Sequence, residues 1–491
     1  MRLFRWIVVS LLLVPPGAAF AQAPGNVDVN ELAKTVERLA QENADLKKRV
    51  TELEARVSDK AAPEPAPVAQ EAPSAGPTAT ATEPPAAAPA STEDGKTPLK
   101  TYWREGLHFE SEDGNFALKV GGRLMLDVAT FHHPRYWELG GRDIEEADGV
   151  ELRETRLSLS GTLYGDYLYA LEVDFAGDET AVKDAYLGMK NVPFFGYVQA
   201  GHFTEPFGLE QLTTSNHTTF MERSMVTEAI APYRALGLGF TAPFFNERMT
   251  WAAGVFNRVV DEERPYWDVA TRVTGLPWYA DQGRRLLHVG ASYMRQAPNG
   301  DISLGSHPES HLGNLHMDTG NFPADKVDRW AFETALVLGP FSLQAEYMAA
   351  QAGLMPPHRT LTLIDLDRHF ASARRFDGYY VQAGVFLTGE NRPYNTAGAY
   401  FDRIIPRHNF SLGKGGWGAW ELAMRYSNLL LNDYDVRSGI IGGKGENWTA
   451  GLNWYMTPNT RLMINYVKAH VSQYAYNGTL DIFEGRMQID F

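Results

Sequence analysis

Cysteine is absent from this chain of 491 residues. That excludes a disulfide framework, and at this length it favours an oxidising envelope compartment over the cytosol. Excess positive charge is absent as well. The formal net charge is −15, which excludes a general nucleic-acid binder, because a phosphate backbone needs a basic surface. Beyond residue 21 no apolar run approaches the roughly 20 residues that a membrane-crossing helix requires. If the chain lies in a membrane, strands must carry it across. Two catalytic signatures are also missing: a serine flanked by glycines at nucleophile-elbow spacing, and a His-Glu-x-x-His zinc site. No enzymatic activity and no cofactor are expected.

Four segments are present. In residues 1–21, Arg2 and Arg5 precede the short apolar run WIVVSLLLV, and small residues then supply an export-signal cleavage site after Ala21, with Ala23 as the alternative. Residues 27–60 carry heptads. Val29, Val36, Asn43, Val50 and Val57 hold the a positions, and Leu32, Leu39, Leu46 and Leu53 the d positions, of a coiled coil. Valine at a with leucine at d leans towards two strands, and Asn43 sets register. Residues 61–103 form a linker, whose first 30 residues contain 20 Ala or Pro. At about 3.1 Å per residue, that part of the spacer extends to roughly 90 Å.

From 104 to 491 the chain reads as strands. Trp448, Ala450, Leu452, Trp454 and Met456 alternate with Asn447, Thr449, Gly451, Asn453 and Tyr455. The closing IFEGRMQIDF sets Phe483, Met487, Ile489 and Phe491 against Glu484, Arg486, Gln488 and Asp490. A period of two is the mark of a strand with one apolar and one polar face. Strands of about ten residues, aromatics near their ends, and short turns on one side with long loops on the other match a transmembrane barrel. Lipid supplies no hydrogen-bond partners, so only a closed barrel leaves no edge unpaired. The expected fold is all-β: a barrel of about 16 antiparallel strands, whose last strand pairs with the first near KVGGRLMLDV. GGKGEN, 442–447, reads as a hairpin loop.

The stretches GHFTEPFGLE, FMER and FLTGE, together with the terminal Phe491, resemble the phosphate-selective porin O and P family of Gram-negative outer membranes. The resemblance covers essentially Arg104 to Phe491 and implies a trimer of 16-stranded barrels in outer-membrane lipid. Residues 206–234 would be the loop that narrows the lumen, and Phe491 the signal for barrel insertion. The coil and linker would then lie in the periplasm. Joining coils to three barrels raises their effective concentration enough to draw them into a trimer.

An anion pore needs Arg or Lys along its lumen, since these replace the hydration shell of a phosphate with charge-assisted hydrogen bonds. The candidates are Lys119, Arg123, Arg153, Arg156, Lys183, Arg223, Arg234, Arg284 and Arg285, with His202 where phosphate-specialised relatives carry a base. Glu210 and Glu222 read as anchors that pin the loop to the wall. From Arg104 onward 34 basic residues meet 47 acidic ones, and no arginine ladder recurs at every second or third position. Passage of phosphate or polyphosphate is therefore one reading. A non-selective porin is another, and an envelope tether reaching the cell wall through the coil is a third. His307, His311 and His316 with Asp318 lie in one polar loop as scattered surface residues, so no metal is expected.

Overall fold

The structure, a computed structural model, describes residues 98–135, 146–177, 179–258, 266–298, 300–354, 373–413, 415–433, 439–473 and 476–491. The export signal, the heptads and almost all of the linker lie outside them. Sixteen strands form the barrel: β1 Phe116–Arg135, β2 Gly149–Leu163, β3 Tyr167–Asp174, β4 Ala181–Val192, β5 Gly196–Thr204, β6 Arg234–Phe244, β7 Met249–Arg258, β8 Tyr266–Ala280, β9 Arg285–Gln296, β10 Phe322–Leu338, β11 Phe341–Leu354, β12 Arg374–Phe386, β13 Ala419–Asp433, β14 Ile440–Thr457, β15 Thr460–Gln473 and β16 Tyr476–Asp490. Each pairs antiparallel with the next. The ring closes where β16 meets β1, in a register running from Asp490↔Arg123 to Thr479↔Arg135. No described helix is long and apolar enough to cross a membrane. A sheet closed on itself achieves the crossing without one.

The alternation of residues sorts along the wall as the period of two demands. On β16, Phe483, Met487 and Ile489 are exposed on the outward face, while Glu484, Arg486, Gln488 and Asp490 are buried on the inward one. Aromatics collect near both rims. Phe194, Phe195, Phe240 and Trp251 pack edge to face at the short-turn end. Tyr379, Tyr426 and Trp448 cluster towards the other. The seam is sealed by Phe491, whose N–H and carbonyl pair with Gly122 at 2.9 and 2.8 Å. Its ring stacks on Trp103 of a hairpin, Leu99–Trp103 with Leu107–Ser111, which extends the sheet beside β1.

Two features depart from the expectation. GGKGEN is no hairpin loop; it lies inside β14. A side chain at Gly445 would meet the sulfur of Met317 at 2.4 Å and that of Met225 at 2.9 Å, so the glycines there let inward-folded segments lie close against the wall. The short-turn end also carries one long connection, residues 387–418 between β12 and β13. Gly, Asn and Pro in that stretch look like turn residues, but its aromatics and arginines dock inside the barrel.

Met487→Arg puts a charge on the lipid face, at a cost of about 2–4 kcal/mol near the bilayer midplane and less near the rims. The variant is expected to refold into bilayers with a smaller heat-modifiable fraction on gels. Met487→Leu should match the parent.

Candidate functional site

Three segments fold into the lumen. The inner loop, residues 205–233 between β5 and β6, contains α1 Leu209–Leu212 and α2 Met225–Ile230. The upper insert, 297–321 between β9 and β10, enters from the long-loop end. The lower insert, 387–418, enters from the short-turn end.

A barrel wall can hold a polar loop only if every buried donor and acceptor is met. Glu346 on β11 accepts the N–H of Leu209 at 2.8 Å and that of Glu210 at 2.7 Å, satisfying the start of α1. Gly208 turns the chain there at φ 69, where a side chain would press on Glu346 Oε2 at 3.0 Å. Glu222 is gripped from two strands. Arg153 on β2 donates to it at 2.9 and 3.0 Å, and Arg486 on β16 at 2.7 Å. Arg486 also forks onto Asp127 of β1 at 2.7 and 2.6 Å and donates to the Met221 carbonyl at 2.5 Å. Burial pushes the Glu222 carboxyl up, but Arg153 and Arg486 outweigh it and hold the group well below the usual carboxylate range. Glu210 accepts from the Ser224 N–H and hydroxyl at 3.1 and 2.7 Å and from Arg425 at 3.3 Å. Arg461 donates to the carbonyls of Thr218 and Thr219 at 2.6 and 3.0 Å.

The upper insert is stitched on by carboxylates. Glu309 takes Arg425 at 2.7 Å and Thr449 at 2.5 Å, with Ser427 also donating. Its histidines each face a different acid: His307 with Glu228 at 2.6 Å, His311 with Glu151 at 2.9 Å, and His316 with Glu146. Asp318 caps the Gly320 N–H at 2.9 Å. In the lower insert, Arg392 donates to Gln344 at 2.7 Å and lies over the Phe401 ring. Tyr394 hydrogen-bonds His288 at 2.7 Å. Arg403 holds Asp490 and the Pro458 carbonyl.

The anticipated cations divide by partner. Arg123 reaches Glu172 at 2.8 Å and Glu154 at 3.3 Å. Arg156 reaches Asp174 at 2.8 Å, with Glu154 and Glu172 both at 3.0 Å. Arg234 forks onto Asp184 at 2.9 and 3.1 Å, and Lys183 stands 3.8 Å from Asp174. Arg223 is different. It donates to the carbonyls of Glu210, Gln211 and Thr213 at 3.3, 3.3 and 3.0 Å and has no carboxylate partner among the described residues. These groups form one stripe between the inner loop and β1–β6, since Arg223 and Arg234, and Lys183 with Arg156 and Arg234, lie within electrostatic reach of each other.

Three candidates are displaced from the stripe. Lys119 points inward low on β1, near Glu105 and Arg403. Arg284 lines a cavity of about 370 Å³ at the short-turn mouth, with Glu105, Glu390, Asp402, Arg403 and Arg407. Arg285 misses the lumen: it shares the outward face with Val289, while Leu286 and His288 point in, and it pairs with Asp281 at 3.0 Å. His202 is a second correction. Its register partner is Leu236, an outward, exposed residue, and its Nδ1 bonds the Lys183 carbonyl at 2.7 Å. Phe203, the next residue, is the one that faces in. Arg392, Arg403, Arg425, Arg461 and Arg486 were not anticipated as site residues, although the inward parity of Arg425, Arg461 and Arg486 on their strands was a usable signal.

The sequence model of the family described as phosphate-selective porin O and P matches residues 118–491. The chain is 27% identical over 430 residues to Porin O of Pseudomonas aeruginosa, covering 80% of this chain and 92% of that one. It is 28% identical over 466 residues to an uncharacterised protein of Caulobacter vibrioides, covering 92% and 87%. Among solved structures it is similar to OmpT, an outer-membrane protein of Vibrio cholerae, at 10% identity and a TM-score of 0.48, over 77% of this chain and 98% of that one.

Arg486→Ala leaves Asp127 and Glu222 inside without their shared cation, a loss of about 3–5 kcal/mol in loop docking. Single-channel recordings should show larger and noisier conductance, partly restored by adding Glu222→Gln. The upper insert should respond to pH. The hydrogen bond to Glu228 raises His307 above its ordinary value despite burial, with Glu222 and Arg153 as further charged neighbours. A raised histidine stabilises fully below about 6.5 and loses its contribution as pH climbs through the raised value. Intrinsically corrected amide exchange across 300–321 should therefore accelerate roughly tenfold from pH 6 to pH 9. His307→Gln should flatten the dependence.

Proposed function

This chain belongs to the phosphate-selective porin O and P family, and we propose that it passes small anions, phosphate or polyphosphate among them, along the stripe beside the inner loop. It is an outer-membrane porin, and its lumen is a water-filled path for small hydrophilic solutes. The observation that carries the anion reading is Arg223. Of the cations on the stripe, Arg123, Arg153, Arg156, Lys183 and Arg234 all lie against carboxylates. Each such pair presents little net charge to a passing solute. Arg223 donates only to neutral carbonyls, and Glu210, Glu154 and Glu222 act on it from beyond ion-pair distance, so its charge is cancelled less than that of its neighbours.

A second observation supports the same sign of field. His217, on the inner loop, is pushed down to about 3 by burial and by nearby cations, of which Arg461 and Arg392 have no ion-pair partner among the described residues. At neutral pH the ring is uncharged, so its 3.5 Å approach to Asp402 is no ion pair. Arg392 and Arg461, like Arg223, are held by amide or carbonyl oxygens. The reading extends to a trimer in the outer membrane with the coil of residues 27–60 in the periplasm, where its heptads would gather around the trimer axis with Asn43 at the centre.

Planar-bilayer recording tests the central point. Chloride current is expected to exceed cation current and to be blocked by added inorganic phosphate. Arg223→Gln should raise the half-blocking concentration about tenfold, the loss of roughly 1.4 kcal/mol from one charge-assisted contact. Cation preference without block would leave a non-selective porin.

A further inference from the structure

A cavity of about 520 Å³ lies between the wall at β4–β8, Pro206 and Leu212 of the inner loop, and the 395–400 stretch of the lower insert. Its chemistry differs from that of the stripe. Tyr197, Gln199, Phe203, Asn395 and Tyr400 line it, and small residues such as Gly239 and Ala252 leave the room. No carboxylate lines it. Arg272 reaches its edge but is consumed by Glu333 at 3.0 and 2.7 Å and by the Ala399 carbonyl at 2.8 Å. Lys190 is the remaining cation on the lining.

The polar groups here are donors held ready. The Tyr197 hydroxyl donates to Gln199 Oε1 at 2.5 Å, which fixes the amide and leaves the Gln199 Nε2 hydrogens without an acceptor among the described residues. Asn395 Oδ1 takes the Gly398 N–H at 2.8 Å and leaves its Nδ2 in the same condition. The aromatic side is backed rather than loose. Phe203 stands edge-on to Tyr186 and Phe256, with centroids 6.2 and 5.3 Å apart.

A relay for bare inorganic anions would need a cation at each step. Aromatic walls, free amide donors and a volume within the roughly 300–1,000 Å³ of small-molecule sites suit a ring that carries hydroxyls. We propose that this chamber is a subsite for the sugar ring of a phosphorylated sugar. The phosphate is left to Lys190, the cation on the lining that Glu333 does not hold. The proposal rests on the anion reading above for the phosphate, and on the chamber alone for the ring.

The experiment is block of chloride current in planar bilayers by glucose 6-phosphate, inorganic phosphate and glucose, each added separately. Glucose 6-phosphate should half-block at a concentration roughly fivefold or more below that of inorganic phosphate. Tyr197→Ala and Tyr400→Ala, checked for folding by heat-modifiable mobility, should bring it to within about twofold of inorganic phosphate without moving the phosphate value. Tyr400→Phe, which keeps the ring face, should retain most of the preference. Equal block by both phosphates, or tyrosine variants that weaken both alike, overturns the ring subsite and leaves the anion reading intact. Block by glucose with none by inorganic phosphate supports the ring subsite and overturns the anion reading instead.

Discussion

The guanidinium of Arg486 is the interaction on which the interior depends. It sits on the last strand, forks onto Asp127 of the first, and shares Glu222 of the inner loop with Arg153 of the second. The group that helps close the barrel therefore also hangs the constriction inside it. A buried cation is tolerable only when acids and carbonyls surround it, so none of these partners is dispensable once Arg486 is in place. The loop's position follows from that requirement.

The same economy governs the other lumen arginines of this acidic chain. Most lumen arginines serve as architecture: Arg425 joins the inner loop to the upper insert through Glu210 and Glu309, and Arg272 ties the lower insert to Glu333. Pairing removes their net field. What remains is set by guanidinia with no ion-pair partner among the described residues, Arg223, Arg392 and Arg461 among them. Counting charges over the chain could not reveal this, because selectivity depends on which charges lack a counter-ion.

Much of the barrel was legible in the sequence, because an outward face must be apolar and an inward face polar at every second residue. The sorting of β16 followed directly. The same rule was available for two candidates that were misplaced. Arg285 and His202 share parity with exposed apolar residues; basic character had put Arg285 in the lumen, and the resemblance to relatives with a base at that place had put His202 there. Segment 387–418 was harder to read, since turn-forming residues give no sign of folding inward. Its anchors, Gln344, His288 and Asp490, lie on strands far from it in the chain.

By itself the sequence determined the barrel, the inward face of each regular strand and the existence of a long loop near the middle, all of which follow from local periodicity and length. Only the tertiary structure decided which charges cancel. It also decided that GGKGEN is wall, and that an aromatic chamber free of carboxylates lies within the lumen. The reason is physical: an ion pair or a cavity is made by side chains whose strands become neighbours only when the sheet closes, and no period along the chain records that meeting.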